Sequence, residues 1–232
     1  MSPVNPGKKS TGPLPPIVPS ERPGPVGGKR DRNRRERTRA LLEAALDLFL
    51  EEGIEAVTIE AIAKAGGVAK GSFYRYFRDK LQLVEALIEP VVNDTLQAFE
   101  RCREALERSS MARDEVNAAY IAFGLALGGI VERHPRLARL YLLESRGAPR
   151  GAREPLVRLA SLIAAGAIQM TEMAQGYDLL RDVDPRVSAL ASVGAIERLL
   201  AASLDGDLDL DAERVTRDLI TIFQEGLRPE EG

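Results

Sequence analysis

Thr58–Lys80 reads TIEAIAKAGGVAKGSFYRYFRDK, and the spacing within it decides the fold. Ile59, Ile62 and Ala63 recur at helical spacing behind Thr58, a residue suited to cap a helix N-terminus. Gly66-Gly67-Val68 breaks that helix, with Gly67 where a left-handed C′ residue is wanted. A short second helix follows, with Phe73 and Phe77 one turn apart on one face. Gly71 and Arg75 lie on the other face, flanked by Lys70, Ser72, Tyr74 and Tyr76. Aromatic anchors inside and hydrogen-bond donors outside are what a recognition helix in a major groove needs, and a glycine on the outer face admits close approach.

Val57–Ala63 has the pattern V-T-I-x-x-I-A, Gly67–Phe77 reads GVAKGSFYRYF, and Asp79-Lys80 opens an apolar-periodic helix. On these residues the sequence resembles the TetR family of bacterial transcriptional regulators, over roughly residues 30–90. The resemblance implies an all-α chain: an N-terminal three-helix helix-turn-helix DNA-binding head on a C-terminal helical ligand-binding and dimerisation body. Two departures stand out. Ala69 replaces a usual capping Ser or Thr, and Gly66 replaces a usual Ala; both are expected to loosen the turn slightly. Tyr74, Tyr76 and Lys80 match family positions that contact the sugar-phosphate backbone. By chemistry, Thr58 offers its hydroxyl and neighbouring N–H groups to a phosphate. Lys70, Ser72 and Arg75 face the groove as base readers, and Arg75 suits a bidentate pairing with a guanine edge.

Charge agrees with that division. The whole chain carries net −3, but residues 1–80 hold 15 Lys+Arg against 10 Asp+Glu, leaving the remainder acidic. A basic front on an acidic body fits a nucleic-acid-binding head. The single cysteine, Cys102, excludes an intramolecular disulfide and fits a reducing compartment. The uncharged run Ala118–Val131 is 14 residues long, too short to span a bilayer, and reads as a buried helix. With no signal-peptide pattern at the start, a cytoplasmic protein without a membrane partner is expected.

In chain order, residues 1–28 hold 8 of the 14 prolines and 5 glycines, which predicts a disordered tail. Lys29–Arg39 follows as a basic arm, with Arg34 and Arg35 expected on phosphates or in the minor groove. The DNA-binding domain is then 29–80 and the body 81–228. Ala40–Glu52 is amphipathic, and Gly53 stops it. Asp79 caps the next helix, with Gln82 three residues on; Pro90 inside that helix either hinges it or bends it around the core. Further helices are expected near 112–132, 135–146, 153–180, 185–204 and 211–226, with Pro135 and Pro185 near starts.

Enzymatic readings fare poorly. GGVAKGS lacks the lysine after its last glycine that a phosphate loop requires, and no strand precedes it. Asp205, Asp207, Asp209 and Asp211 alternate as in a calcium loop, but Leu210 takes the glycine position; an interhelical loop whose last Asp caps the final helix is expected instead. His134 is the only histidine, so neither a metal centre nor a catalytic triad is expected, and no cofactor. An effector pocket is implied by the resemblance. Phe99, Tyr120, Phe123, Tyr141, Met170, Met173 and Tyr177 are its expected lining, which favours an apolar or amphipathic small molecule. The family's dimerisation through its last two helices places Val193, Ile196, Leu200, Leu219, Ile222 and Phe223 in a homodimer interface. The expected function is a repressor released from a pseudo-palindromic operator by an effector. The competing reading is a helical scaffold whose basic arm binds another partner.

Overall fold

A computed structural model describes residues 28–110, 112–176, 180, 182–208 and 211–226. The proline-rich tail expected over 1–28 lies outside these except for Gly28, as do Tyr177 and the side chain of Phe223. The described elements are all helical: α1 (Lys29–Glu52), α2 (Ile59–Ala65), α3 (Lys70–Phe73), α4 (Lys80–Arg108), α5 (Arg113–Arg133), α6 (Pro135–Glu144), a 3₁₀ turn Gly151–Arg153, α7 (Glu154–Gly176), α8 (Pro185–Leu204) and α9 (Ala212–Gly226).

The local signals are realised as hydrogen bonds. Thr58 Oγ1 accepts from Ala61 N–H at 3.1 Å. At the other end of α2, Val68 N–H reaches Ala63 O at 2.9 Å and Gly67 N–H reaches Lys64 O at 3.2 Å, with Gly67 at φ +70°. Those two bonds form a Schellman closure, which only a left-handed residue permits without strain. Asp79 accepts from Gln82 N–H at 2.7 Å. The Gln82 side chain, however, takes the N–H of Arg78 at 2.6 Å, one residue before the cap. Asp211 caps α9 by accepting from Arg214 N–H at 2.7 Å, as the interhelical-loop reading expects.

Gly66 corrects one expectation. A Cβ there would sit 2.9 Å from Leu41 Cδ2 and 3.3 Å from Leu41 Cα, so its absence lets α1 press on the turn rather than loosening it. Ala69 does leave α3 without a side-chain cap.

One apolar core runs through the head and beyond it. Leu41, Phe49, Ile54, Ile62, Phe73 and Phe77 pack with Leu83, Val84 and Ile88 of α4, then with Leu140 of α6 and Leu156 of α7. The head is therefore seated on the body through shared burial, not joined by a bare linker. Pro90 lies within α4, which continues unbroken to Arg108. A second, smaller cluster centres on Cys102, Leu106, Val116, Ala119 and Met170, between α4, α5 and α7.

Two further expectations change. The basic arm is helical from Lys29 onward, so α1 is one 24-residue helix. Its arginine-rich turns are compatible with helix because Arg and Glu propagate it well and Asp31–Arg35 pair one turn apart at 3.1 Å. The run Ala118–Val131 belongs to a longer helix, and 20 residues of α5 are long and apolar enough to cross a membrane by length and composition. The Gly151–Gly176 segment and α8 meet the same criterion. Nor is α5 wholly buried: Val116, Ala119 and Ile130 face inward while Leu125 is exposed. Its small residues are there for close packing, for a Cβ at Gly124 would run into Thr216 of α9.

Candidate functional site

The outward face of the head is assembled on two buried rings. Phe73 and Phe77 are 0% and 4% exposed, with centroids 5.8 Å apart. Burying this pair fixes the rotation of α3 and the turn after it, and so decides which side chains point out. Tyr74 is 54% exposed and meets the edge of Phe73 at 5.6 Å. Lys70 and Arg75 are exposed, Ser72 is half-buried, and a Cβ at Gly71 would meet nothing within 4 Å. The surface is thus donor-rich, with a backbone a flat partner can approach.

Lys70 Nζ lies 3.1 Å from Glu60 of α2. Both side chains are exposed, so the pair contributes ~0–1 kcal/mol and does not hold the ammonium away from a competing anion. Thr58 is exposed at the start of α2; its oxygen accepts from Ala61, and its hydroxyl can still donate one hydrogen bond. The N–H groups of the first turn have no intrahelical acceptors, which suits a phosphate. Tyr76 is half-buried and packs its ring against the head core.

Lys80 is already engaged within the protein. Its ammonium donates to three backbone carbonyls: Ile54 at 2.6 Å, Val57 at 2.8 Å and, more weakly, Glu55 at 3.3 Å. An ammonium has three donors, and here they are spent on the α1–α2 connection. Desolvation lowers the Lys80 pKa from the ordinary lysine value. Lys80 therefore ties the start of α4 to the loop that leads to Thr58.

Arg34 and Arg35 also lie differently from the expectation for an arm. Both line a groove between α1, α4 and the α5–α6 turn. Arg37 is the α1 arginine that reaches the turn of the helix-turn-helix, with its guanidinium 3.5 Å from Gly67 O. Helical spacing held the signal: Arg37 is one turn before Leu41, the residue that packs on Gly66.

Sequence reasoning also missed the polar joint beneath the head. Glu144 ends α6 at 6% exposure. One of its oxygens accepts from Ile54 N–H at 2.8 Å, and the other from Arg153 Nε at 2.5 Å. Gly53 makes room, since a Cβ there would stand 3.2 Å from the carboxylate. Three residues earlier on α6, Tyr141 Oη donates to Glu197 of α8 at 2.6 Å, and Arg146, just past the helix, pairs with the same carboxylate at 2.6 Å. A helix of ten residues thus ties α8 to the α1–α2 loop of the head.

Of the expected pocket residues, Phe99, Tyr120, Phe123, Met170 and Met173 meet in the second cluster. Phe99 and Phe123 lie 4.9 Å apart, and the Phe99 ring rests where a Cβ on Gly166 would be. Tyr120 Oη donates to Met170 O at 3.3 Å, and burial drives its pKa upward. Tyr141 lies apart from these five: its hydroxyl donates to Glu197 of α8, and its ring joins the first core.

Among the expected interface residues, Ile196 and Ile222 are exposed, with Val187 and Leu190 alongside on α8. Val193, Leu200 and Leu219 are half-buried. Helix α8 packs on α6 and α7, and α9 on α5.

Comparison with known proteins agrees with this geometry. A family model described as bacterial regulatory proteins, tetR family, matches residues 41–87. The HTH-type transcriptional regulator TcmR of Streptomyces glaucescens is 32% identical over 229 residues, 92% of this chain and 92% of its own. Among solved structures, NalD, the secondary repressor of the MexAB-OprM multidrug efflux pump in Pseudomonas aeruginosa, superposes with a TM-score of 0.62 at 20% identity, over 86% of this chain and 100% of its own. FadR from Bacillus subtilis, solved in complex with stearoyl-CoA, gives 0.58 at 19% identity, over 82% and 99%. The two structural matches speak for the fold, and the TcmR match runs along nearly the whole chain. A helix-turn-helix with a donor-rich outer face, on a body related from end to end, leads to one conclusion: the chain belongs to the TetR family of bacterial transcriptional regulators and is a DNA-binding regulator of transcription.

Proposed function

We propose that the protein is a homodimeric, cytoplasmic repressor that binds a pseudo-palindromic operator and leaves it when a small molecule occupies the body. The observation that carries the DNA-binding part is the exposed surface around Gly71, with Lys70, Tyr74 and Arg75 outside and Phe73 locked inside. In this reading Lys70, Ser72 and Arg75 address base edges, while Thr58, Tyr74 and Tyr76 hold phosphates, with Arg37 added from α1.

The body supports the remaining parts. The aromatic and Met side chains around Tyr120 form an apolar, adaptable cluster, suited to an apolar or amphipathic effector. That the FadR relative in fold was solved with stearoyl-CoA is in keeping with this chemistry. Val187, Leu190 and Ile196 of α8 and Ile222 of α9 expose apolar area that a second copy would cover by two-fold pairing. We assign the apolar surfaces of α5, α7 and α8 to effector binding and dimerisation rather than to a bilayer. The scaffold reading is not favoured.

Selection from a random duplex library, followed by sequencing, tests the proposal. An inverted repeat is expected, and Arg75→Ala should weaken binding to it by ~1–3 kcal/mol while relaxing the preference at one base pair per half-site. Retention without an enriched motif would refute it.

A further inference from the structure

A groove of about 610 Å³ lies where the head meets the body, between α1, α4 and the α5–α6 turn. None of the roles above uses it. Its apolar lining is Leu42 and Leu46 of α1 with Leu87 of α4, and the exposed Pro90 stands at its edge. Its rim is cationic: Arg34, Arg35 and Arg39 enter from α1 and Arg133 and Arg136 from the far wall, against the lining carboxylates Asp31 and Glu43.

These cations are not equivalent. Arg35 is paired with Asp31 at 3.1 Å, Arg133 with Asp94 at 2.7 Å, and Arg136 with Glu43 at 3.2 Å and with Asp47. Arg34 and Arg39 have no carboxylate partner among the described residues. On α1 the lining residues 34, 35, 38, 39, 42 and 46 follow helical spacing, so one face passes from charge to apolar surface along the groove.

We propose that this groove is a second small-molecule site, separate from the aromatic cluster in the body, and that it takes an anionic amphiphile. An apolar ring or chain lies against Leu42, Leu46 and Leu87, and its carboxylate, sulfonate or phosphate is held by Arg34 and Arg39. The volume falls in the usual range for small ligands, about 300–1,000 Å³. Planar guanidinium groups match oxyanions in two-point fashion, and the apolar lining selects against small hydrophilic anions. One wall belongs to the head and the other to α4 and the α5–α6 turn, so an occupant bridges head and body; on the repressor reading proposed above, the arrangement of those two parts sets the fit to the operator. The occupant biases the head position by whatever difference in affinity it has for the two arrangements.

Two fluorescent probes that share a ring system test this on the full chain. 8-Anilinonaphthalene-1-sulfonate carries the acid, and N-phenyl-1-naphthylamine lacks it. The wild-type chain should bind the sulfonate saturably. The double substitution Arg34→Gln with Arg39→Gln should weaken sulfonate binding at least tenfold and change naphthylamine binding less than twofold. Both positions are exposed, so the melting curve should be unchanged; Arg39→Gln alone, with a loss of at least threefold, serves as the second variant. Saturating sulfonate should also shift wild-type operator affinity at least threefold and leave that of the double variant unmoved. An absence of saturable sulfonate binding, equal losses for the two probes, or an unchanged sulfonate affinity in the double variant would overturn the site. An unmoved wild-type operator affinity would overturn its coupling to the head.

Discussion

Replacing Glu144 should separate the stability of the head–body joint from its geometry. In Glu144→Ala the Ile54 N–H, now satisfied at 2.8 Å, loses its acceptor inside the core, and Arg153 loses a partner at 2.5 Å. Removing one member of a buried ion pair costs about 3–5 kcal/mol. The Arg153 side chain is 24% exposed and keeps some hydration, which places this loss toward the lower end. For a chain of this size that is roughly 6–12 °C in Tm. Glu144→Gln keeps a carbonyl oxygen for Ile54 and loses mainly the charge on Arg153, so its cost should fall at the low end of the ~1.5–3 kcal/mol that a hydrogen bond to a charged group is worth, below the alanine loss. Urea titrations of the three proteins measure both values. A second readout isolates geometry: once an operator is selected, its half-sites can be moved apart by a base pair in either direction. The wild-type protein should reject the altered spacings more sharply than Glu144→Ala, because Glu144 ties the α1–α2 loop of the head to the body. An alanine variant within about 1 kcal/mol of wild type, or a glutamine variant as costly as alanine, would refute the reasoning.

Other perturbations follow from single contacts. Ala69→Ser supplies the missing N-cap of α3 and should raise stability by about 0.5–2 kcal/mol in thermal melts, without weakening operator binding. The Cys102 thiol is 3% exposed and burial pushes its pKa up to about 12, so a disulfide reagent at neutral pH should leave it unmodified until denaturant is added. The Gln82 N–H holds the Asp79 carboxyl below its ordinary value. A depressed folded pKa gives stability that is complete above the unfolded value and disappears as pH falls through the folded one. Asp79→Asn should therefore lessen the loss of stability in that acid window, read from melts at stepped pH.

Much of the head was legible because its signals are local. Thr58, Gly67 and Asp79 each act on backbone groups a few residues away, so residue type and spacing suffice to place them. The period of Phe73 and Phe77 likewise tells inside from outside before any partner is known. The helices of the body, with Pro135 and Pro185 in their first turns, follow from the same local rules. What sequence alone determined was thus the set of helices, their caps and the outward donor face.

Tertiary structure decided which charges are spent and which remain. Lys80 has the chemistry of a phosphate ligand, but the carbonyls it meets belong to residues 23–26 positions earlier, and no local rule brings them together. Glu144 reaches Ile54 across 90 positions, and Tyr141 reaches Glu197 across 56. Such pairings depend on how whole helices cross, which is set by the summed burial of both cores and not by any one residue. Gly66 makes the same point in reverse: a substitution that looks like a weakened turn is the space that lets Leu41 of α1 close over it.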